Sequence, residues 1–412
     1  MGRRVVITGI AVLSPLGGSP GEFRDKIRSG GSGIREINRF DTDGLGCRRA
    51  GCVDEAKLFE SAGKLNKYLS LNTKMLTASC ELLLMDSGYS AKECREDSVG
   101  MIIGSMYGNY ERSTEYISKF TRHGLAGITP MDGIDAGQNP AMNYASIQIK
   151  ATGIHKMISS GISSGLDAVG SAYQYIKNGR AVAVVAGGHE NIFKEMIYFY
   201  AAKGLLSQAS GRADAGIRPF DQMRSGILLG EGSAVLFLEE YEHAVKRKAR
   251  IYAEITGYAN GFAPPKGNGQ YQPSDRQPDV VSYALKSARL KPESISYINA
   301  CANGSRSGDR MEAALISKVF QNSRNRVPIT SIKGAVGECC GASGAMQCIS
   351  AVHSIADGVI PPTLNCTDPI FEGNSSIRVA RIKMEKNIEN VMINAFDCHG
   401  FRSCLIVSHF KK

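Results

Sequence analysis

Gly161-Ile162-Ser163-Ser164-Gly165 is where residue type and spacing in this chain first suggest chemistry. The segment has the G-x-S-x-G form of a nucleophile elbow, in which a sharp strand-to-helix turn presents a serine hydroxyl. The flanking pattern suits such a turn, because an amphipathic stretch follows from Gly165 to Ile176. A serine nucleophile needs a base and an acid that orients the base, and His353 or His399 would have to supply the imidazole. Neither histidine lies in a segment that supports the role, so Ser163 is expected to pack or hydrogen-bond at the turn. Thiols are the second candidate nucleophile. Eleven cysteines are scattered along the chain, with no CxxC and a single adjacent pair, Cys339-Cys340. That scatter predicts reduced thiols packed as small hydrophobes, with no disulfide framework and no metal site. His189, between Gly188 and Glu190, reads as a loop residue.

The elements that must position these groups alternate between strand and helix. Strand-like apolar runs occur at Val5–Ile7, Val99–Gly104, Ala181–Gly188 and Ala234–Leu238. Amphipathic stretches at Lys74–Ser87, Gly165–Ile176 and Pro278–Arg289 read as helices. The second half repeats the theme: Tyr297–Ala300 and Pro328–Ser331 read as strands, Arg310–Phe320 and Ala345–Ala356 as helices. In both halves a small-residue turn feeds a helix, at Gly161–Gly165 and at Gly337–Gly344, which suggests an internal duplication. The seam falls near Glu240–Ile251. Alternation of this kind predicts an α/β protein with buried sheets covered on both faces.

Composition narrows the function classes. Of 412 residues, 43% are hydrophobic and 21% charged, the balance of a globular chain with a sizeable core. Val5–Ile7 is too short an apolar run for a signal peptide, and no stretch is long enough to span a bilayer, so a cytoplasmic protein is expected. The net charge is +10, densest at Lys246-Arg247-Lys248-Ala249-Arg250. That run reads as a solvated helix end, and no nucleic-acid motif accompanies it. A positive balance suits an acidic protein partner.

Several segments in register resemble the ketoacyl synthases of fatty-acid and polyketide assembly. Arg4-Val5-Val6-Ile7-Thr8-Gly9 with Ser14-Pro15-Leu16-Gly17 is similar to their opening strand and loop. Arg218-Pro219-Phe220-Asp221 followed by Leu229-Gly230-Glu231-Gly232 resembles their most recognisable internal signature. Val185-Ala186-Gly187-Gly188, Glu242-His243-Ala244, Ile251-Tyr252-Ala253-Glu254 and Gly308-Asp309 with Glu312 follow in matching order. The resemblance spans Gly2 to the final strand at Ser403–Val407. It implies a thiolase fold, a layered αβαβα body of two similar halves (1–250 and 251–412), normally dimeric, with an interface helix in the first half.

The resemblance also implies which positions would carry catalysis. The family acylates a cysteine at a strand-to-helix turn, where the helix N-terminus lowers the thiol pKa; here that position is Ile162. Two histidines assist decarboxylation of the malonyl unit. The first falls at Cys301, in Asn299-Ala300-Cys301-Ala302-Asn303, and the second at Glu338. Lys333 is retained, and either Glu338 or Glu312 is expected to pair with it. A Gly-Phe-Gly-Gly loop is replaced by Asp397-Cys398-His399-Gly400, which removes a gating phenylalanine. Members of a catalytic set act as a unit, so the joint loss of nucleophile and histidines leaves no partial mechanism.

Within the family this pattern resembles the chain length factor, or ketosynthase beta, of type II polyketide synthases. Such a subunit pairs with an active ketosynthase alpha subunit and closes the tunnel that holds the growing polyketide chain. Its commoner replacement at the nucleophile position is glutamine, which is linked with decarboxylase activity, and Ile162 departs from it. The resemblance implies that Tyr110, Ser113, Thr114 and Ile117 border the tunnel, and spacings of three and four place Tyr110, Ser113 and Ile117 on one helical face. It implies an acyl carrier protein as a further partner, acidic and therefore suited to a basic complex, and no cofactor. The rival reading is an enzyme, through Ser163, Cys301 or residual malonyl decarboxylation.

Overall fold

A computed structural model describes residues 2–55, 69–207, 216–263, 279–323, 326–371 and 376–412. The expected Pro278 lies outside these residues. Eleven strands form one continuous sheet: β1 (Val5–Leu13), β2 (Gly100–Gly104), β3 (His155–Ile158), β4 (Ala183–Glu190), β5 (Gly232–Glu240), β6 (Ala253–Phe262), β7 (Tyr297–Asn299), β8 (Val327–Thr330), β9 (Ile377–Val379), β10 (Asn390–Phe396) and β11 (Phe401–Ser408). Their spatial order is β9-β8-β7-β10-β11-β6-β1-β5-β4-β2-β3.

The order reveals the duplication. In the first wing β3, β2 and β4 run parallel, and β5 and then β1 join antiparallel. In the second wing β8, β7 and β10 run parallel, and β11 and then β6 join antiparallel. The wings meet where β1 pairs with β6 over Val5–Ile7. The expected seam lies in the short helix Tyr241–Lys246 and the link to β6. Arg247, from the basic run beside it, is half-buried and pairs with Glu239, so one cation of that run is structural. The β1 and β4 strands are buried along their whole length, as strands covered on both faces must be.

Two helices occupy equivalent places in the wings. The chain leaves β3 through a 3-10 turn at Gly161–Ser163 and enters the helix Ser164–Lys177. After β8 it passes a second 3-10 turn at Cys340–Ala342 and enters the helix Ser343–Asp357. These helices pack on each other and on strands of both wings, while Leu71–Ser87 covers β1 and β5 from outside and Val280–Ala288 covers β6 and β11. Alternating layers of helix and strand result.

Glycines set how closely the central layer can pack. A Cβ on Gly188 would sit 2.1 Å from the Gly341 carbonyl oxygen, and one on Gly165 would sit 2.2 Å from the same atom. Backbone cannot yield as a side-chain tip can. Gly188→Ala is therefore expected to destabilise the fold by about 1–3 kcal/mol, the usual cost of overpacking. Chemical denaturation should show the lowered midpoint, and an unchanged midpoint would refute the close approach.

Candidate functional site

The first 3-10 turn places Ile162 at the wall of a mainly apolar cavity, with Tyr200, Leu205, Ile227, Met311 and Phe396 among its neighbours. Gly161 takes a left-handed φ of 62°, and a Cβ there would strike the Asp397 carboxylate. The Ile162 amide donates to Asp397 Oδ2 at 3.1 Å. A thiol here would meet a helix N-terminus, but the side chain is a hydrocarbon that can neither attack nor be acylated.

The elbow serine faces elsewhere. Ser163 is buried, and its hydroxyl donates to the Ala395 carbonyl at 3.0 Å. His353 lines a separate depression with Phe23 and Arg24. Burial lowers its pKa to about 4. His399 spends Nδ1 on Asp397 Oδ1 at 2.8 Å. Among the described residues no base is hydrogen-bonded to Ser163, whose hydroxyl ties the turn to β10.

Cys301, Lys333 and Glu338 are brought together. Lys333 donates to Glu338 Oε2 at 2.6 Å, and each side chain is only 1% exposed. Of the two pairings expected from the sequence, this one forms. Glu312 instead accepts the Cys301 and Ala302 amides at 2.9 and 2.8 Å and the Asn394 side chain at 3.1 Å. Burial raises its pKa to about 7 against those hydrogen bonds. Glu338 also accepts from Asn303 at 2.7 Å, Ser343 at 2.7 Å and the Cys340 amide at 3.1 Å. Four donors saturate its carboxylate, leaving no lone pair aimed at a substrate. Burial opposes the Lys333 charge, yet the Glu338 carboxylate, through its charge and hydrogen bond, raises its pKa overall, so it stays protonated.

Cys301 lies 3.5 Å from Lys333 Nζ and accepts the Phe396 amide at 3.2 Å. Burial pushes its thiol up to about 12, which Lys333 offsets only in part. The protonated thiol is a poor nucleophile. Among the described residues that line the cavity, none is a histidine.

Sequence reasoning missed three contributors. Asn303 and Ser343 complete the Glu338 cage; Asn303 stood in the segment read for Cys301, but its reach to Glu338 depends on a tertiary contact. Glu190 is buried and accepts from Ser105, the Met106, Tyr107 and Gly341 amides, tying β2, β4 and the second turn together. His189 is no loop residue. It is buried in β4, with Nδ1 2.7 Å from Asn72 Oδ1, because the strand continues two residues beyond its glycines.

The remaining predicted residues lie on the helix Tyr110–His123, none of whose residues is buried in the single chain. Tyr110 and Ile117 are 48% and 59% exposed, and the Tyr110 ring lies 5.9 Å from that of Phe193. Ser113 accepts the Gly137 amide at 3.1 Å, and Thr114 donates to the Glu111 carbonyl at 2.8 Å. Asp397, Cys398 and His399 form the β10–β11 turn, from which Asp397 and Cys398 line the cavity.

Two family models cover most of the chain: the β-ketoacyl synthase N-terminal domain over residues 2–244 and its C-terminal domain over 252–367. The chain belongs to the β-ketoacyl synthase family. It is 31% identical to a 3-oxoacyl-[acyl-carrier-protein] synthase 2 of Coxiella burnetii, with 98% of each chain covered. It is also 31% identical to the tetracenomycin polyketide synthase ketoacyl synthase alpha subunit of Streptomyces glaucescens, covering 100% of this chain and 98% of the relative. Among solved structures, a type II polyketide synthase acyl-carrier protein in complex with its hexaketide-bound ketosynthase matches at TM-score 0.87 and 25% identity, with both chains fully covered. The ishigamide ketosynthase/chain length factor matches at TM-score 0.88 and 24% identity over the full length of both, a likeness of fold. The layered body is thus the thiolase fold of ketosynthases. Among the described residues, no helix is long and apolar enough to cross a membrane.

The salt bridge generates a direct test. Glu338→Ala strands a buried ammonium and is expected to cost about 3–5 kcal/mol of stability. Urea unfolding that gave the same free energy as the parent protein would show the pair to be dispensable.

Proposed function

We propose that this chain is a non-catalytic chain length factor of a type II polyketide synthase. It pairs with an active ketosynthase alpha subunit and closes the far end of the tunnel in which a chain grows from malonyl units on an acyl carrier protein. The observation that carries this reading is a catalytic position filled by Ile162 beside a lysine already neutralised by Glu338. The alternative, catalysis or decarboxylation through Ser163 or Cys301, is disfavoured by the Ser163 hydrogen bond to backbone and the high thiol pKa.

Two surface features support a partner subunit. Among the described residues the β3 strand ends the sheet, pairing only with β2, and offers an unpaired backbone edge. Helix Tyr110–His123 and the segment after it expose Tyr110, Ile117, Phe120, Leu125, Met131 and Ile134. Exposed apolar side chains concentrated in this way mark an association surface. A tunnel bordered by this helix would be completed only by the partner, since these side chains face out of the chain that bears them.

Co-expression with a ketosynthase should give a soluble one-to-one complex, whereas the single chain should not turn over malonyl-carrier protein. Turnover by the single chain that Ser163→Ala or Cys301→Ala abolished would overturn the proposal. In the complex, Tyr110→Ala should deepen the tunnel and lengthen the product by at least one extension, read by mass spectrometry. An unchanged product from an intact complex would remove Tyr110 from the tunnel wall.

A further inference from the structure

The β10–β11 turn gathers three ligand types, a carboxylate, a thiol and an imidazole. Asp397, Cys398 and His399 each direct a donor atom to one place, with all three atoms within 4.8 Å of one another. Asp397 Oδ1 lies 2.8 Å from His399 Nδ1, and Cys398 Sγ lies 3.7 Å from the same nitrogen. Cys398 is also the one exposed cysteine of the eleven. We propose that these residues form a binding site for a thiophilic divalent cation of the zinc type beside the cavity.

The spacing fits such an ion. Tetrahedral zinc takes sulfur at about 2.3 Å and nitrogen or oxygen at about 2.0–2.2 Å. Its N and O ligands therefore stand about 3.3–3.5 Å apart and its N and S ligands about 3.5 Å apart. The N···S separation of 3.7 Å is close to the second value, while the hydrogen-bonded N···O pair at 2.8 Å must open by about 0.5–0.7 Å, which rotation of the exposed His399 ring allows. Thiolate, imidazole and carboxylate together favour zinc over magnesium or calcium, which prefer all-oxygen shells.

The turn is already held in place. The Asp397 amide donates to the Phe401 carbonyl at 2.8 Å, and the Gly400 amide to the Asp397 carbonyl at 3.1 Å. Asp397 Oδ2 accepts the Ile162 amide and Oδ1 accepts the His399 amide at 2.7 Å, which orients the carboxylate; the second lone pair of Oδ1, now turned to the His399 ring, is the one the ion would take. Binding breaks the Asp397–His399 hydrogen bond. The Cys398 thiol proton leaves to solvent, and His399 coordinates through Nδ1 with its proton on Nε2. Three protein ligands leave a fourth position for water or an exogenous thiol. A search for CxxC misses such a site, because its ligands are consecutive. The inference stands independently of the chain-length reading.

Cobalt(II), then zinc, tests it on the full chain or its complex after chelator treatment. The expected result is one cobalt per chain with a sulfur-to-cobalt charge-transfer band that zinc abolishes. Cys398→Ser should remove the band, Cys301→Ser should leave it, and far-UV circular dichroism should be unchanged in both. Outer-shell changes already cost about 10–100-fold in affinity, so His399→Ala should weaken zinc by at least about tenfold. A band that survives Cys398→Ser, no sulfur band, or weak binding indifferent to both variants would overturn the proposal.

Discussion

The close approach of backbone to backbone at Gly165, Gly188 and Gly341 is the constraint on which the rest depends. A Cβ at either of the first two would come within about 2 Å of one carbonyl oxygen. Because that contact is possible, the two central helices share one layer, and the turns that precede them converge. Ile162 enters the cavity from the first turn. Glu338 approaches it just ahead of the second. Glu190 crosses between them, accepting amides from residues 106, 107 and 341. The side chains that line the cavity are therefore set by how closely these turns can approach.

The polar groups of the cavity are engaged in satisfied contacts. Glu338 is saturated by Lys333, Asn303, Ser343 and the Cys340 amide. A buried ion pair of this kind tolerates the loss of one partner poorly, so stability constrains the pocket's polar core. Cys301 adds a small thiol that burial keeps protonated. The wall around Ile162 is mainly apolar. At the surface Tyr110 and Ile117 stand exposed, and among the described residues the outer edge of β3 pairs with no strand.

Much of the fold was legible because its signals are local. Val5–Ile7 and Ala181–Gly188 are continuous apolar runs, and buried strands need nothing else to be read. The helix expected at Arg310 starts earlier, at Arg306, because Ser305 caps it by accepting the Gly308 amide. His189 was misread because the glycines before it resemble a turn, yet they are needed where β4 passes close to Gly341 and β5. At the site, Ile162 was legible as a side chain that cannot act as a nucleophile, because residue type alone excludes that chemistry. The ambiguity between Glu338 and Glu312 was not resolvable, since both stand at plausible separations along the chain from Lys333.

By itself the sequence determined the alternating α/β order, the family frame and the absence of a thiol at Ile162. These follow from residue identity and short-range periodicity. Tertiary structure alone decided that Lys333 pairs with Glu338, that Ser163 turns its hydroxyl to Ala395 and that Asp397 grips the Ile162 amide. Those partners lie up to 235 positions apart. Their meeting depends on how two wings and two central helices pack, which no local pattern encodes.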